Sequence, residues 1–229
     1  MSKKTNEAAA NQDIDLGVVY TRTELFLEKN KKPVMYGAIG LVAAVALILG
    51  VKLGSLDKKS NEAAEVIWKA QYYFEIDSLN KALNGDEIYP GFLSIADDYS
   101  WTPSGKLAHY YLGAIYMQQG EYQMALDHYK QADLDDDVLR VMAVGNQGDA
   151  LVELGRETEA VKLFEKAAGM VKSEFTTPMY LMKAGILHQQ AGNWKDARKA
   201  FERIAQEFPT SNEASQARKH AGLAEAMGG

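Results

Sequence analysis

The stretches GAIYMQQGEYQMALDHYKQA (113–132), GDALVELGRETEAVKLFEKA (148–167) and GILHQQAGNWKDARKAFERI (185–204) carry one skeleton three times. Glycine stands first (Gly113, Gly148, Gly185) and eighth (Gly120, Gly155, Gly192), alanine thirteenth (Ala125, Ala160, Ala197) and an aromatic ring seventeenth (Tyr129, Phe164, Phe201). A helix, a turn and a second helix account for this spacing, because the later glycine supplies the left-handed backbone that ends the first helix. The first glycine is then expected to face the alanine, so that the two helices pack closely, with the ring filling the seam to the next unit. Such units cannot bury their apolar faces alone and are expected to stack into a curved solenoid lined on its inner surface by the first helices. The expected fold class is all-α, with three units starting near Lys106, Val141 and Pro178, at intervals of 35 and 37 residues.

Working outward, Phe92, Ile95 and Tyr99 repeat the spacing of Phe201, Ile204 and Phe208, so residues 88–99 read as the second helix of an earlier, degenerate unit. Its first helix is expected over Ala63–Leu83, around Trp68, Tyr72 and Phe74, giving a linker helix and degenerate repeat over 54–105. Beyond Pro209, a closing helix over Ser211–Met227 within 210–229 is expected to turn Ala214, Ala217, Ala221 and Leu223 toward the array.

Over residues 106–209 this pattern resembles the tetratricopeptide repeat family. The resemblance implies ligand contacts at set positions of each first helix: Tyr110, Ala114 and Met117, then Met142, Asp149 and Val152, then Met179, Met182, Ile186 and Gln189. Four of these are methionines, whose thioethers repack around different partners and suit a variable apolar segment or a partner helix. The alternative is that the closing helix or a neighbouring unit covers them. Repeats that clamp a C-terminal carboxylate use a Lys and Asn set that is replaced here by Tyr110, Ala114 and Met179, although Asn146 and Lys183 remain.

On the N-terminal side lies VMYGAIGLVAAVALILGV (34–51), eighteen residues without a charge. A helix of that length reaches about 27 Å, against a hydrocarbon core of ~30 Å, so residues 34–53 are expected to form a single transmembrane helix. Lys31, Lys32 and Pro33 open it, and Lys52 closes it. A cleaved signal peptide fits poorly, since thirty-three largely polar residues come first and no A-x-A site follows Leu49. Gly40 with Ala44, and Ala46 with Gly50, are small-xxx-small pairs that permit lateral contact with another membrane helix. Residues 1–19 are expected to be a disordered cytoplasmic arm. A juxtamembrane helix over 20–33 would start at the capping box Thr21–Glu24 and lie at the lipid boundary.

Composition narrows the function. Seven Lys/Arg stand against five Asp/Glu in residues 1–53, and eighteen against twenty-six beyond, within a net charge of −6. The large acidic part argues against nucleic acid as a partner. There is no cysteine, hence neither a disulfide framework nor a thiolate metal site. No nucleophile motif, phosphate loop or H-E-x-x-H is present, so no enzyme, cofactor or small-molecule substrate is expected. His109 and His188 fall at core-facing repeat positions and read as packed, hydrogen-bonded imidazoles. The run Asp133–Asp137 lacks the glycine and terminal glutamate of a calcium loop and reads as a solvated turn between units.

The order of a short arm with LFLEKNKK, one Gly/Ala-rich span, ADDY and then repeats resembles the ancillary SecYEG translocon subunit family (YfgM-like). That resemblance implies a bacterial inner-membrane protein with a cytoplasmic N-terminus and periplasmic repeats. Its implied partners are a SecYEG-type translocon, a membrane-anchored peptidyl-prolyl isomerase and exported chains. The expected role is a noncatalytic adaptor assisting protein export. A periplasmic holdase chaperone and a scaffold for another cell-envelope complex are the alternatives.

Overall fold

A computed structural model describes Leu27 and residues 29–228. The expected arm and most of the juxtamembrane helix, including its capping box, lie outside the described residues.

The chain divides into two units, one up to Leu56 and one from Asp57 onward. In the first, helix α1 (Lys31–Glu75) begins with Pro33 in its opening turn, where the missing N–H has no intrahelical partner to lose. Residues Lys31–Val51 have a mean hydropathy of 2.4 and none of them is buried, so this helix is long and apolar enough to cross a membrane. The helix does not stop at Lys52. It continues through residues 52–62, which hold no proline and a single glycine, so nothing in the backbone ends it. The boundary expected at 53/54 is therefore not a helix end.

In the second unit, α1 buries Ala63, Ile67, Ala70 and Tyr73 and leaves Trp68 and Tyr72 about half exposed. Of the three aromatic residues around which this helix was expected, Phe74 packs against the core, edge to face with Tyr111 at 5.2 Å. The expected helix over Ala63–Leu83 is broken after Glu75, where Asp77 takes a left-handed φ of 58°, and resumes as the short α2 (Leu79–Asn84). A tight loop follows, pinned by Asp86, whose carboxylate accepts hydrogen bonds from the N–H groups of Ile88 and Tyr89 and from the Tyr73 hydroxyl. Helix α3 (Phe92–Asp98) then buries Phe92, Ile95 and Ala96; it is shorter than the helix expected over 88–99, because residues 88–91 belong to the loop and Gly91 stands at the start of the helix.

The three regular units are α4 (Pro103–Gln118) with α5 (Tyr122–Gln131), α6 (Asp137–Glu153) with α7 (Glu157–Met170), and α8 (Thr176–Gln190) with α9 (Trp194–Glu207). Gly120, Gly155 and Gly192 have φ of +75°, +68° and +75°, the left-handed turn that ends each first helix. The ring of each unit lies against the first-helix glycine of its own unit, and Phe164 and Phe201 also stack on Tyr180 and His220 of the elements that follow. A Cβ on Gly113, Gly148 or Gly185 would lie 2.6 Å from the ring of Tyr129, Phe164 or Phe201 of the same unit. The rings therefore lie across the first helix of their own unit, and the glycines leave room for them.

A closing helix, α10 (Ala214–Gly228), buries Ala214, Ala217 and Ala224. Leu223, expected to face the array, is instead 46% exposed; a fully helical register places Ala224 on the packed side in its place.

Candidate functional site

The first helices are set in place by their N-terminal caps. Thr102 accepts a hydrogen bond from the Gly105 N–H at 3.0 Å ahead of Pro103, the first residue of α4. Asp136 accepts from the Val138 and Leu139 N–H groups, both at 2.9 Å, and starts α6. Ser173 accepts from Phe175 and Thr176, while the Thr177 hydroxyl donates to the Val171 carbonyl, and together they fix the entry to α8. The acidic run thus has separate duties: Asp136 caps, Asp133 pairs with Lys106 at 3.3 Å, and Asp137 pairs with Arg140.

Successive first helices fit together by a swap of large and small side chains. Gly145 on α6 leaves the space filled by the ring of Tyr180 on α8, which is 1% exposed and stacks on Phe164 at 6.1 Å. One unit earlier the large residue lies on the preceding helix, with Tyr110 of α4 packed against the buried cluster around Ala143 of α6. Sequence reasoning missed Gly145. The signal was available, because Gly145 lies three residues before Gly148, and the same position holds Tyr110 in the first unit and Met182 in the third.

Across this ladder runs a polar seam. Lys183 on α8 donates to both carboxylate oxygens of Asp149 on α6, at 2.6 and 2.7 Å, and each side chain stays about a third exposed. The Lys183 ammonium also sits 5.5 Å from the Phe164 ring centre and 5.7 Å from that of Tyr180. Next to it the Tyr110 and Tyr129 rings meet edge to face at 5.8 Å, with the Asn146 side chain acting on both phenols. Burial pushes all three phenols, Tyr110, Tyr129 and Tyr180, above the ordinary tyrosine range, and the Asp149 carboxylate adds to the effect on Tyr180. They act as neutral hydrogen-bonding groups. The seam is extended from α1, where Gln71 donates to the Tyr111 hydroxyl at 3.3 Å.

Of the residues expected to line an inner face, Tyr110, Ala114, Met117, Met142, Asp149, Val152, Met179 and Ile186 are half-buried. Tyr110, Met117, Val152, Met179 and Ile186 pack against the core while keeping part of their surface free. Met182 does not belong with them. It is 7% exposed and part of the core. Gln189 is also covered, since His220 of α10 pairs with its side-chain oxygen at 2.9 Å. In the first unit, Gly40, Ala44, Ala46 and Gly50 are exposed, and a Cβ on Gly40 or Gly50 would meet open space.

His109 is 7% exposed and hydrogen-bonded to His128, and His188 bonds Glu165 at 3.0 Å, so both are packed imidazoles as their repeat positions suggested. The arrangement offers half-buried apolar groups, an ion pair that is about a third exposed and the half-buried Tyr110 and Asn146 side chains.

Two stretches of the chain match tetratricopeptide repeat models, residues 107–132 and residues 180–211. No curated protein matches the chain. The matched stretches fall on α4 with α5 and on α8 with α9, the first and third regular units, so the chain carries tetratricopeptide repeats, a protein–protein interaction module, behind a helix apolar enough to span a membrane.

Proposed function

We propose that this protein is a noncatalytic, membrane-anchored adaptor, with α1 crossing the bacterial inner membrane and the repeats holding a protein partner outside it. The carrying observation is that α6 and α8, joined by the Asp149–Lys183 pair, each carry a half-buried methionine at whole-turn spacing from it, Met142 seven residues before Asp149 and Met179 four before Lys183. Half-buried apolar groups beside fixed polar ones suit a protein segment. Its apolar side chains gain from leaving water, and the ion pair and Asn146 fix its register.

The partner read from the sequence resemblance is a SecYEG-type translocon with its membrane-anchored peptidyl-prolyl isomerase, and the task is assistance to exported chains. Gly40, Ala44, Ala46 and Gly50 are the residues through which the span would approach a neighbouring membrane helix. The test is crosslinking in intact membranes followed by mass spectrometry. Translocon subunits joined to the span, together with one recurrent protein joined to the repeats, support the adaptor. A broad population of unfolded exported chains on the repeats, without a recurrent partner, would replace it with a holdase.

A further inference from the structure

At one place the first regular unit departs from the other two. Four residues before the unit's glycine and one before its ring, the second unit has Val144 and Leu163, and the third has Leu181 and Ala200. The first has His109 and His128. The two rings lie 5.2 Å apart, with Nδ1 facing Nδ1 at 3.0 Å, so one imidazole donates and the other accepts. The opposite face of His128 stacks on Tyr116 at 5.3 Å and 12°. Where the other two units carry apolar residues at both positions, one unit of three carries a pair that titrates.

We infer that the His109–His128 contact is an acid-sensitive joint that loosens α4 from α5 when the pair takes up protons, leaving the second and third units unchanged. A neutral pair is satisfied. Once both rings are protonated, both facing nitrogens are donors, the hydrogen bond has no acceptor, and two positive charges face each other at close range.

The surroundings give the buried charge little relief. From α5, the Asp127 carboxylate acts on His128 in favour of its charged form, and it is shared with Lys130 at 3.6 Å and with the Gln123 amide. From α4 the facing titratable group is the Tyr116 phenol. The neighbouring α3 buries Phe92, Ile95 and Ala96. Burial pulls His128 below the ordinary histidine range, and burial together with the His128 charge pulls His109 from 6.5 down to about 4.

The sign follows from linkage. A histidine whose folded value is depressed binds more protons when unfolded, so the stability of this unit rises with pH between about 4 and 6.5 and is lost as pH falls through that window. A domain outside the inner membrane would meet such acidity directly. Only the use of the joint rests on the proposed location; the joint itself does not.

The test is hydrogen exchange by mass spectrometry on the full chain in detergent micelles, at pH 7.5 and pH 5, corrected for the intrinsic pH dependence of exchange. The joint predicts a severalfold faster corrected exchange at pH 5 in residues 103–131 and little change in residues 137–207. The variant His109→Val/His128→Leu, which copies the second unit, should abolish the difference. Equal acid responses in all three units, or a response that survives in the variant, would overturn the joint. If the double variant folds poorly, His128→Leu alone, compared with wild type in melting temperature from pH 7.5 to pH 5, gives the same decision: its pH slope should be shallower.

Discussion

Gly185 on α8 and Phe201 on α9 are locked to one another: a methyl group on the glycine would lie 2.6 Å from the phenyl ring, which is itself fully buried. Replacing Gly185 with leucine forces the ring or the helix to move. Overpacking of this kind costs about 1–3 kcal/mol. Thermal unfolding of the protein should shift downward by about 2–4 °C per kcal/mol at this chain length. An unchanged melting temperature would mean that the helices of this unit do not meet at Gly185.

A second close contact joins successive units. Gly145 gives way to the ring of Tyr180, so Gly145→Val should destabilise the chain by about 1–3 kcal/mol and Tyr180→Ala, which leaves a cavity, by about 3–5 kcal/mol. Because the two residues fill one space, the double variant should cost clearly less than the sum. Additive losses in a melting or denaturant series would place Tyr180 elsewhere.

These two contacts mark how far the sequence could be read. The three units, the turns at Gly120, Gly155 and Gly192 and the second helix of the degenerate unit were legible, because a spacing that recurs three times needs no tertiary information. The ring that lies against each first-helix glycine was not. A small residue announces a close approach without naming every side chain that approaches, and the rings of Tyr129, Phe164 and Phe201 are as buried as Ala125, Ala160 and Ala197. Helix α1 misled for another reason. Composition changes sharply after Val51, but a change from apolar to polar residues does not end a helix that lacks a breaker.

The candidate face was legible by register and blurred by one position. Met182 shares its residue type with Met142 and Met179, and neither that type nor its place relative to Gly185, which Tyr110 shares relative to Gly113, announces its burial. Lys183 and Asn146 looked like remnants of a carboxylate clamp. Their roles became visible only with Asp149 and Tyr110 brought beside them from other turns and another helix.

The loop at 85–91 should respond to strong acid. The Tyr73 hydroxyl and the N–H groups of Tyr89 and Ile88 hold the Asp86 carboxyl down to about 2, so the loop's stabilisation is full above the ordinary carboxylate value and is lost as pH falls from about 4 through about 2. Asp86→Asn keeps an acceptor oxygen and removes the titration. Its exchange in residues 85–91 should exceed that of the wild type at pH 7, with the difference closing toward pH 2.5. A constant difference would show that the charge is not what holds the loop.

Topology gives a direct check on the anchor. Protease added to spheroplasts should degrade the repeats and leave a small protected N-terminal fragment ending near the apolar stretch Lys31–Val51. Full protection of the repeats would place them in the cytoplasm.

Met142 and Met179, on neighbouring first helices, lie on the half-buried face that we propose a protein partner covers. Changing both to glutamate adds two charges beside Asp149, which an apolar segment would have to desolvate on docking. The decisive measurement pairs the melting temperature of the Met142→Glu/Met179→Glu protein with co-purification of its complex from membranes of cells expressing the full chain. The account predicts a folded protein, with a melting temperature within a few degrees of wild type, that has lost its partner on the repeats. A folded variant that keeps every partner would contradict it and remove this face from the mechanism.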